Sequence, residues 1–474
     1  MADGTVPTLA GDFPPATEAD WRRLVDKTLG DAPYESLTKA TVEGLPIAPL
    51  YAQAERPSAP ARQPGADRAW EVATLTAHPD PSRANAEILA DLRGGAAAVV
   101  VRVDPTGEAG VAIGSERELA RALDGVILEL APVGLDAGFL GPQAADWLSA
   151  VAKASPGALL RFHLDPLSAF AEAGATPGPI EAHLISAANV AVRMAETYPQ
   201  AQLFLASGRV VHEAGGGEAL EVAAAAAAAV AYAKAMVRAN LPMAEAFGRI
   251  TLGLSADADY FLSIAKLRAA RAVWARIAAA CGAEPTARIE ARSSRRMLAT
   301  RDAWTNMIRL TAAGFGAAVG GADSVILGNL TDALGRPTAF ARRQSRNAQL
   351  VLMEEAHIGR VADPAAGSGY LEALTDQIAR AAWADFQAIE AAGGLLPALA
   401  SGQIAKAVAA ANTARPEPRL IGVNAFPPTQ DTPPEVELAA ARPVQAPSPR
   451  LPGPDSACPP LSPIRLAEPL EAAQ

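Results

Sequence analysis

The chain is poor in the residues that most often carry chemistry. Its 474 residues include only two cysteines, five histidines and 5% aromatics. Cys281 and Cys458 stand far apart, which argues against a disulfide scaffold or a cysteine zinc cluster and suits a reducing, cytoplasmic setting. Positive charge is in deficit. There are 41 Lys and Arg against 51 Asp and Glu, a net charge of −10. With no basic run to offset it, a nucleic-acid partner is not expected. Long apolar runs are also missing. A bilayer span needs about 20 apolar residues, and the longest stretch, Val222 to Ala233, is shorter and mostly alanine. Met1 to Thr17 holds acids and prolines where a leader has a basic start and an apolar centre, so no leader is expected. There is no GxGxxG after a strand, no P-loop and no zinc-type histidine spacing.

What the chain has is apolar content, 50% by residue, arranged in three zones. Residues 1–66 read as an N-terminal arm, with a helical segment over Thr17–Thr28 and a Pro-rich extended stretch over Ala54–Gly65. Residues 67–395 alternate short apolar runs with longer helical patterns. Residues 396–474 form a tail in which Pro416, Pro418, Pro427, Pro428, Pro433 and Pro434 crowd together, and it is expected to be largely irregular.

The middle zone carries the fold. Eight runs read as strands: Ala97–Val103, Val126–Ala131, Leu159–Leu164, Gln202–Ala206, Ile250–Leu254, Arg288–Ala291, Ser324–Leu327 and Arg360–Ala362. Helical patterns follow them at Ser115–Leu123, opened by a capping box of Ser115 and Glu118, and at Asp257–Ala280, Arg301–Ala318 and Leu371–Ala392. Regular strand–helix alternation implies parallel strands with right-handed crossovers. Eight units point to a (β/α)8 TIM barrel, with an open doubly wound sheet as the alternative.

In a barrel, chemistry sits at the C-terminal ends of the strands. Ser207–Gly217, after the fourth run, is glycine-rich and reads as a flexible connection or a place for a phosphate to approach backbone. His212 and Glu213 form an acid–base pair only if the loop folds back, and a capping or packing role is preferred. His163 and Asp165, ending the third run, share a side by alternation. They read as a hydrogen-bonded structural pair, with a metal or acid–base pair as the alternative. Asp363–Tyr370, after the eighth run, suits an anion or simply a helix start capped by Ser368. Arg343, Arg346, Asn347, Gln349, Glu354 and Glu355 read as a solvated helix face or interface.

Several motifs in order then carry a resemblance. Phe261–Arg271 with Trp274, Arg301–Arg309, Gly320–Ser324, Ala341–Leu350 with Glu354 and Glu355, Asp363–Thr375 and Glu213-Ala214-Gly215 resemble the methylmalonyl-CoA mutase family over roughly residues 18–395, with a weaker echo at Ile421–Asn424. The resemblance implies an adenosylcobalamin enzyme that interconverts methylmalonyl-CoA and succinyl-CoA by radical chemistry. Its acyl-CoA threads the barrel axis, and cobalamin caps the barrel from a separate C-terminal domain.

The sequence departs from that family where the chemistry lies. The family's Ser-Gly-Tyr-His-Met-Gln-Glu-Ala-Gly falls on Ser207–Gly215, and its Tyr-His pair becomes Arg209 and Val210. Valine has no donor for a developing oxyanion. The pattern Arg-Pro-Trp-Thr-Ile-Arg-Gln-Tyr falls on Arg68–Leu75. Trp70 is kept, but Glu71, Ala73 and Leu75 replace Thr, Arg and Tyr. The CoA-binding Arg-Thr-His-Ser-Gln falls on Arg288–Arg292, where Glu290 would repel an anion. No histidine has the cobalamin lower-ligand context Asp-x-His-x-x-Gly, so that domain is expected to be absent.

The resemblance therefore implies a small, non-catalytic subunit of a heterodimeric mutase. Leu75, Arg209 and Val210 replace the catalytic positions, and no catalytic, cofactor-binding or metal residue is expected on this chain. The partner would be the large subunit, which would hold the adenosylcobalamin. The alternatives are an active barrel subunit whose cobalamin domain is a separate chain, and a stand-alone acyl-CoA-binding barrel using His163 and Asp165.

Overall fold

The computed structural model describes residues 16–54, 57–62, 68–447 and 450–473. Residues 1–15, most of the segment read as lacking a leader, and parts of the Ala54–Gly65 stretch lie outside the described residues. The centre is a closed parallel barrel of eight strands: β1 Glu71–Thr76, β2 Ala98–Arg102, β3 Val133–Asp136, β4 Leu160–Leu164, β5 Gln202–Ser207, β6 Ile250–Ala256, β7 Arg288–Ser293 and β8 Ser324–Ile326. Ser324 pairs with Glu290 on one side and Glu71 on the other, which closes the ring. This is the (β/α)8 barrel expected from the alternation.

Two of the eight runs are not strands, and two strands lie outside the eight runs. Val126–Ala131 is a turn, closed by Leu130 and Ala131 N–H donation to the Ile127 carbonyl, with Ile127 and Leu130 exposed. The strand there, β3, begins only after Pro132. Arg360–Ala362 is not a strand either: Ile358–Arg360 is a short 3-10 turn, and β8 already closes the barrel. The other missed strand is β1, whose Glu71, Thr74 and Thr76 hide its apolar alternation. Gln202–Ser207 is consequently the fifth strand, and His163–Asp165 follows the fourth.

Helices cover the outside. Pro81–Arg93 starts on Pro81 behind an Asp80 cap that accepts from the Ser82 and Arg83 amides, a favourable helix entry. At Glu116–Ala122, Ser115 stands at the cap position, but its hydroxyl donates to Glu118 at 2.5 Å and makes no bond to a helix amide. The expected capping box is therefore replaced by a side chain–side chain bond. The helix Glu218–Arg238 is long and apolar enough to cross a membrane, with a mean hydropathy of 1.5 over its apolar window. That window is 72% buried within the fold. Its alanines allow close packing on the barrel and on the helix Gly369–Ala391, and Tyr232 stacks on Phe204 with ring centroids 4.4 Å apart.

The arm and the tail are tied to this body. The helix Glu18–Leu29 buries no residue. A hairpin pairing Lys39–Ala40 with Pro46–Ile47 follows, and Glu43 at its tip accepts the amides of Ala219 and Leu220, both at 3.0 Å. Farther on, Ser58 donates backbone and hydroxyl hydrogens to Glu372. In the tail, Leu395–Ala400 and Gln403–Ala414 are helical. The described chain beyond them follows the C-terminal rim of the barrel. Val436–Glu437 pairs with Arg336–Pro337. Val444 N–H reaches Pro105 O, Cys458 reaches Gly174, Leu461 reaches Ala171, Ile464 reaches Glu213 and Leu466 reaches Arg296. Its prolines preclude a regular ladder, yet the backbone finds partners on loop after loop.

Candidate functional site

A cavity of about 970 Å³ opens at the C-terminal mouth of the barrel, and residues of the tail, Leu461 and Pro463, stand in its wall. The strand period of two decides what faces the axis. A barrel axis is usually filled by branched apolar side chains. Here Ala73, Leu75, Ala98, Val100 and Ile326 make such a patch. Beside it stands a set of charged side chains.

At the lower end Glu71 is bridged by Arg161 and by Arg288, the latter at 3.4 Å. Above it Glu290 takes Arg292 Nε at 2.8 Å. Arg292 then reaches Asp136 at 2.9 Å, and Arg102 reaches the same oxygen at 3.2 Å. Burial raises the carboxyls of Asp136 and Glu290, but the guanidiniums outweigh it. Asp136, facing Arg102 and Arg292, lies well below the usual range, and Glu290 is held at about 2, chiefly by Arg292. Both remain ionised, so the axis is crossed by a ladder of ion pairs, of which Glu290–Arg292 is buried and the others are partly exposed.

His163 and Asp165 do not act together. A register shift in the β4–β5 pairing between Arg161 and Leu164 coincides with a φ of 47° at His163, so simple alternation fails there. His163 Nε2 faces Glu290 at 3.9 Å, and burial pushes its pKa down to about 4. Asp165 instead caps the helix Pro166–Ala173 and accepts the Tyr232 hydroxyl at 2.5 Å. Burial raises its carboxyl to about 7.

His212 and Glu213 also part company. His212 is fully buried between Glu221, 3.2 Å from Nδ1, and Asp257, 3.4 Å from Nε2. Glu213 turns to the Arg295 amide. Packing thus prevails at this loop, and the short helix Arg209–Glu213 occupies the place read as a flexible connection.

The polar face on the helix Ala339–Leu350 needs correction. Arg343, Glu354 and Glu355 are exposed. Arg346 and Gln349 point inward: Arg346 pairs with buried Asp91 at 2.8 Å, and Gln349 accepts the Trp70 indole hydrogen at 3.3 Å. Arg342, which the sequence reading passed over, anchors to Asp91, Glu87 and the Leu75 carbonyl. The helical offset of three and four between Arg342, Arg346 and Gln349 was the available signal.

Asp363–Tyr370 does not border the barrel mouth. Asp363 and Glu372 clamp Arg268, midway along the helix Tyr260–Ala280. Ser368 caps the next helix by accepting the Leu371 amide. The structural reading of this segment is the one realised.

Leu75, Arg209 and Val210 all line the mouth. Arg209 makes no ion pair among the described residues. Burial, then Arg292, lowers its pKa to about 10, where it stays charged. Neither Leu75 nor Val210 supplies a side-chain donor or acceptor. Among the described residues no group of three or more His, Cys, Asp or Glu is placed to hold a metal ion.

A closed parallel barrel with its loops and a long C-terminal segment around a polar mouth defines an α/β-barrel protein. The methylmalonyl-CoA mutase family model matches residues 65–447. A methylmalonyl-CoA mutase small subunit from Streptomyces virginiae is 37% identical over 471 residues, 92% of this chain and 74% of that protein. One from Propionibacterium freudenreichii subsp. shermanii is 35% identical over 442 residues, 87% of this chain and 68% of its own length. A methylmalonyl-CoA mutase from Cereibacter sphaeroides is 29% identical over 461 residues. The chain belongs to the methylmalonyl-CoA mutase family.

Proposed function

We propose that this chain is the non-catalytic small subunit of a heterodimeric, adenosylcobalamin-dependent methylmalonyl-CoA mutase. The large subunit carries the interconversion of methylmalonyl-CoA and succinyl-CoA, and this chain supports its folding and assembly. The observation that carries the reading is the barrel axis. By the resemblance, Leu75, Arg209 and Val210 hold the positions of the family's Tyr, Tyr and His, and the Glu71–Arg161–Arg288 and Glu290–Arg292–Asp136 pairs cross the barrel axis along which an acyl-CoA would run. Breaking a buried pair costs about 3–5 kcal/mol, so a thioester arm would meet a steep penalty.

Cobalamin does not fit the mouth residues either. The histidines lining the cavity are His78 and His163. His78 is engaged by Glu437 and the Asp80 amide, and His163 lies deep beside Glu290. The cofactor is therefore assigned to the partner. On the same reading, residues 1–66 are an arm for the partner, 67–395 the barrel unit and 396–474 the rim-following tail, in a cytoplasmic enzyme. The names of the Streptomyces and Propionibacterium relatives support a subunit role.

Co-expression with a large subunit tests this. A stable complex whose turnover survives Arg209→Gln in this chain is expected. Isomerisation by this chain alone with cobalamin supplied, or failure to associate, overturns it.

A further inference from the structure

The C-terminal segment makes a circuit of the barrel rim and closes on itself. It starts on the loop after β7, where Arg309 donates to the Ile421 carbonyl at 2.6 Å and the Trp304 indole donates to the Thr432 carbonyl at 2.8 Å. It then meets the loops in the order in which the strands stand in the barrel. Val436–Glu437 pairs with Arg336–Pro337 after β8. Glu437 binds Arg83, and Arg442 binds Asp80, after β1. The Val444 amide donates to Pro105 after β2, those of Cys458 and Leu461 to Gly174 and Ala171 after β4, and that of Ile464 to Glu213 after β5. The Leu466 amide reaches Arg296, again on the loop after β7.

There the end of the circuit meets its beginning. Ala467 and Val423 are both fully buried with Ala299, and Leu420 and Leu470 pack around them. Glu471 fastens this buckle: it accepts the Thr300 and Arg301 amides at 2.6 and 3.2 Å and the Arg465 guanidinium at 2.9 Å. The fit along the rim is close. A Cβ at Gly114 would stand 2.2 Å from the Gln445 carbonyl oxygen, and one at Gly178 2.3 Å from that of Leu451, so glycine lets backbone lie on backbone.

A closed circuit differs from a row of separate contacts. Each anchoring bond contributes only about 0.5–1.5 kcal/mol, so no single one holds a loop in place. With the ends joined, the loops cannot move apart unless several anchors break together. Leu461 and Pro463 of this segment also stand in the wall of the mouth cavity, so its release widens the mouth.

We infer that residues 420–447 and 450–471 form a buckled belt that holds the barrel mouth shut, and that the mouth opens by release of the Val423–Ala467 buckle. The belt rests on its own contacts and stands whether or not the subunit reading does.

The experiment is amide exchange followed by mass spectrometry on the full chain and three variants. Glu471→Ala loosens the buckle, deletion of residues 465–474 removes one side of it, and Arg442→Gln breaks one anchor far from it. In both buckle variants, residues 105–114 and 171–180 should exchange about tenfold faster or more, although neither segment touches the buckle. Residues 155–159, at the opposite end of the barrel, should be unchanged. Arg442→Gln should act only near Asp80. Should the deletion fail to fold, Glu471→Ala carries the test alone. Acceleration confined to residues 296–301 and 465–471, none at all in Glu471→Ala, or an equally wide effect of Arg442→Gln overturns the inference.

Discussion

The Lys266 ammonium lies 2.5 Å from a carboxylate oxygen of Glu221, and neither residue is exposed to solvent. Glu221 also accepts the Ser255 amide at 2.5 Å and neighbours His212 Nδ1. The pair therefore ties the helices Glu218–Arg238 and Tyr260–Ala280 to the end of β6. Lys266→Met should cost about 3–5 kcal/mol, because it strands a buried carboxylate. Adding Glu221→Gln should recover a large part of the loss. Urea unfolding of the single and double variants checks this, and additive losses would show that the two groups are not coupled.

The same carboxylate makes a prediction about acid. Burial raises Glu221, but Lys266 and then His212 outweigh it and hold the group at about 2. A depressed carboxyl stabilises the fold above its unfolded value near 4.5, and that contribution is lost as pH falls toward the folded value. Stability should decline between pH 5 and pH 2 (on the order of these two values), and the Lys266→Met/Glu221→Gln double variant should show a shallower decline. Parallel acid titrations of the two proteins would contradict this.

Glu43 behaves in the opposite sense. Its carboxylate caps the helix Glu218–Arg238, yet burial and then Glu218 raise it to about 7. A raised acid contributes stability that is full below the unfolded value and is lost as pH rises through the folded one. The hairpin carrying Glu43 should loosen on going from pH 6 to pH 8. Amide exchange of residues 39–47 should speed up over that interval, and Glu43→Gln should remove most of the change. Exchange that is flat in pH after correction for the intrinsic rate would refute it.

A single methyl group tests the rest of the arm. A Cβ at Gly369 would stand 1.8 Å from the Ala52 carbonyl oxygen, a backbone overlap that only movement of the arm relieves. Gly369→Ala should displace the chain around Tyr51 and Ala52, at a cost of about 1–3 kcal/mol. Limited proteolysis near residues 51–58 should accelerate roughly tenfold (1.4 kcal/mol per decade), with the barrel unfolding at nearly its usual urea concentration. Equal destabilisation of the barrel would mean that the arm and barrel unfold as one.

The barrel was legible because six runs were apolar and spaced by helical patterns. The strand Glu71–Thr76 was not, since Glu71, Thr74 and Thr76 break up its apolar alternation. Val126–Ala131 misled for the converse reason: it is apolar yet exposed at Ile127 and Leu130. At the site, sequence located Leu75, Arg209 and Val210 at the mouth. It did not anticipate the Glu290–Arg292–Asp136 chain, because Asp136 lies on β3 and meets the β7 residues Glu290 and Arg292 only through barrel closure. His163 was tied to Asp165 by an alternation that the turn at its own positive φ breaks.

The last prediction concerns restoring the chemistry. On the proposed reading, Leu75→Tyr, Arg209→Tyr and Val210→His together would return the family's side chains to the mouth. They would leave Glu71 bridged by Arg161 and Arg288, and Glu290 by Arg292. Those pairs occupy the axis below the mouth, and opening the buried Glu290–Arg292 pair costs about 3–5 kcal/mol, or about two to three and a half decades of affinity at about 1.4 kcal/mol per decade. The triple variant should therefore show no isomerisation of methylmalonyl-CoA with adenosylcobalamin supplied, and no measurable acyl-CoA binding at micromolar concentration. Adding Glu71→Thr and Glu290→His removes the two central acids and should raise acyl-CoA affinity above that of the triple variant. Turnover by the triple variant alone would mean that the charged axis is no obstacle, and that the mouth residues were the whole difference.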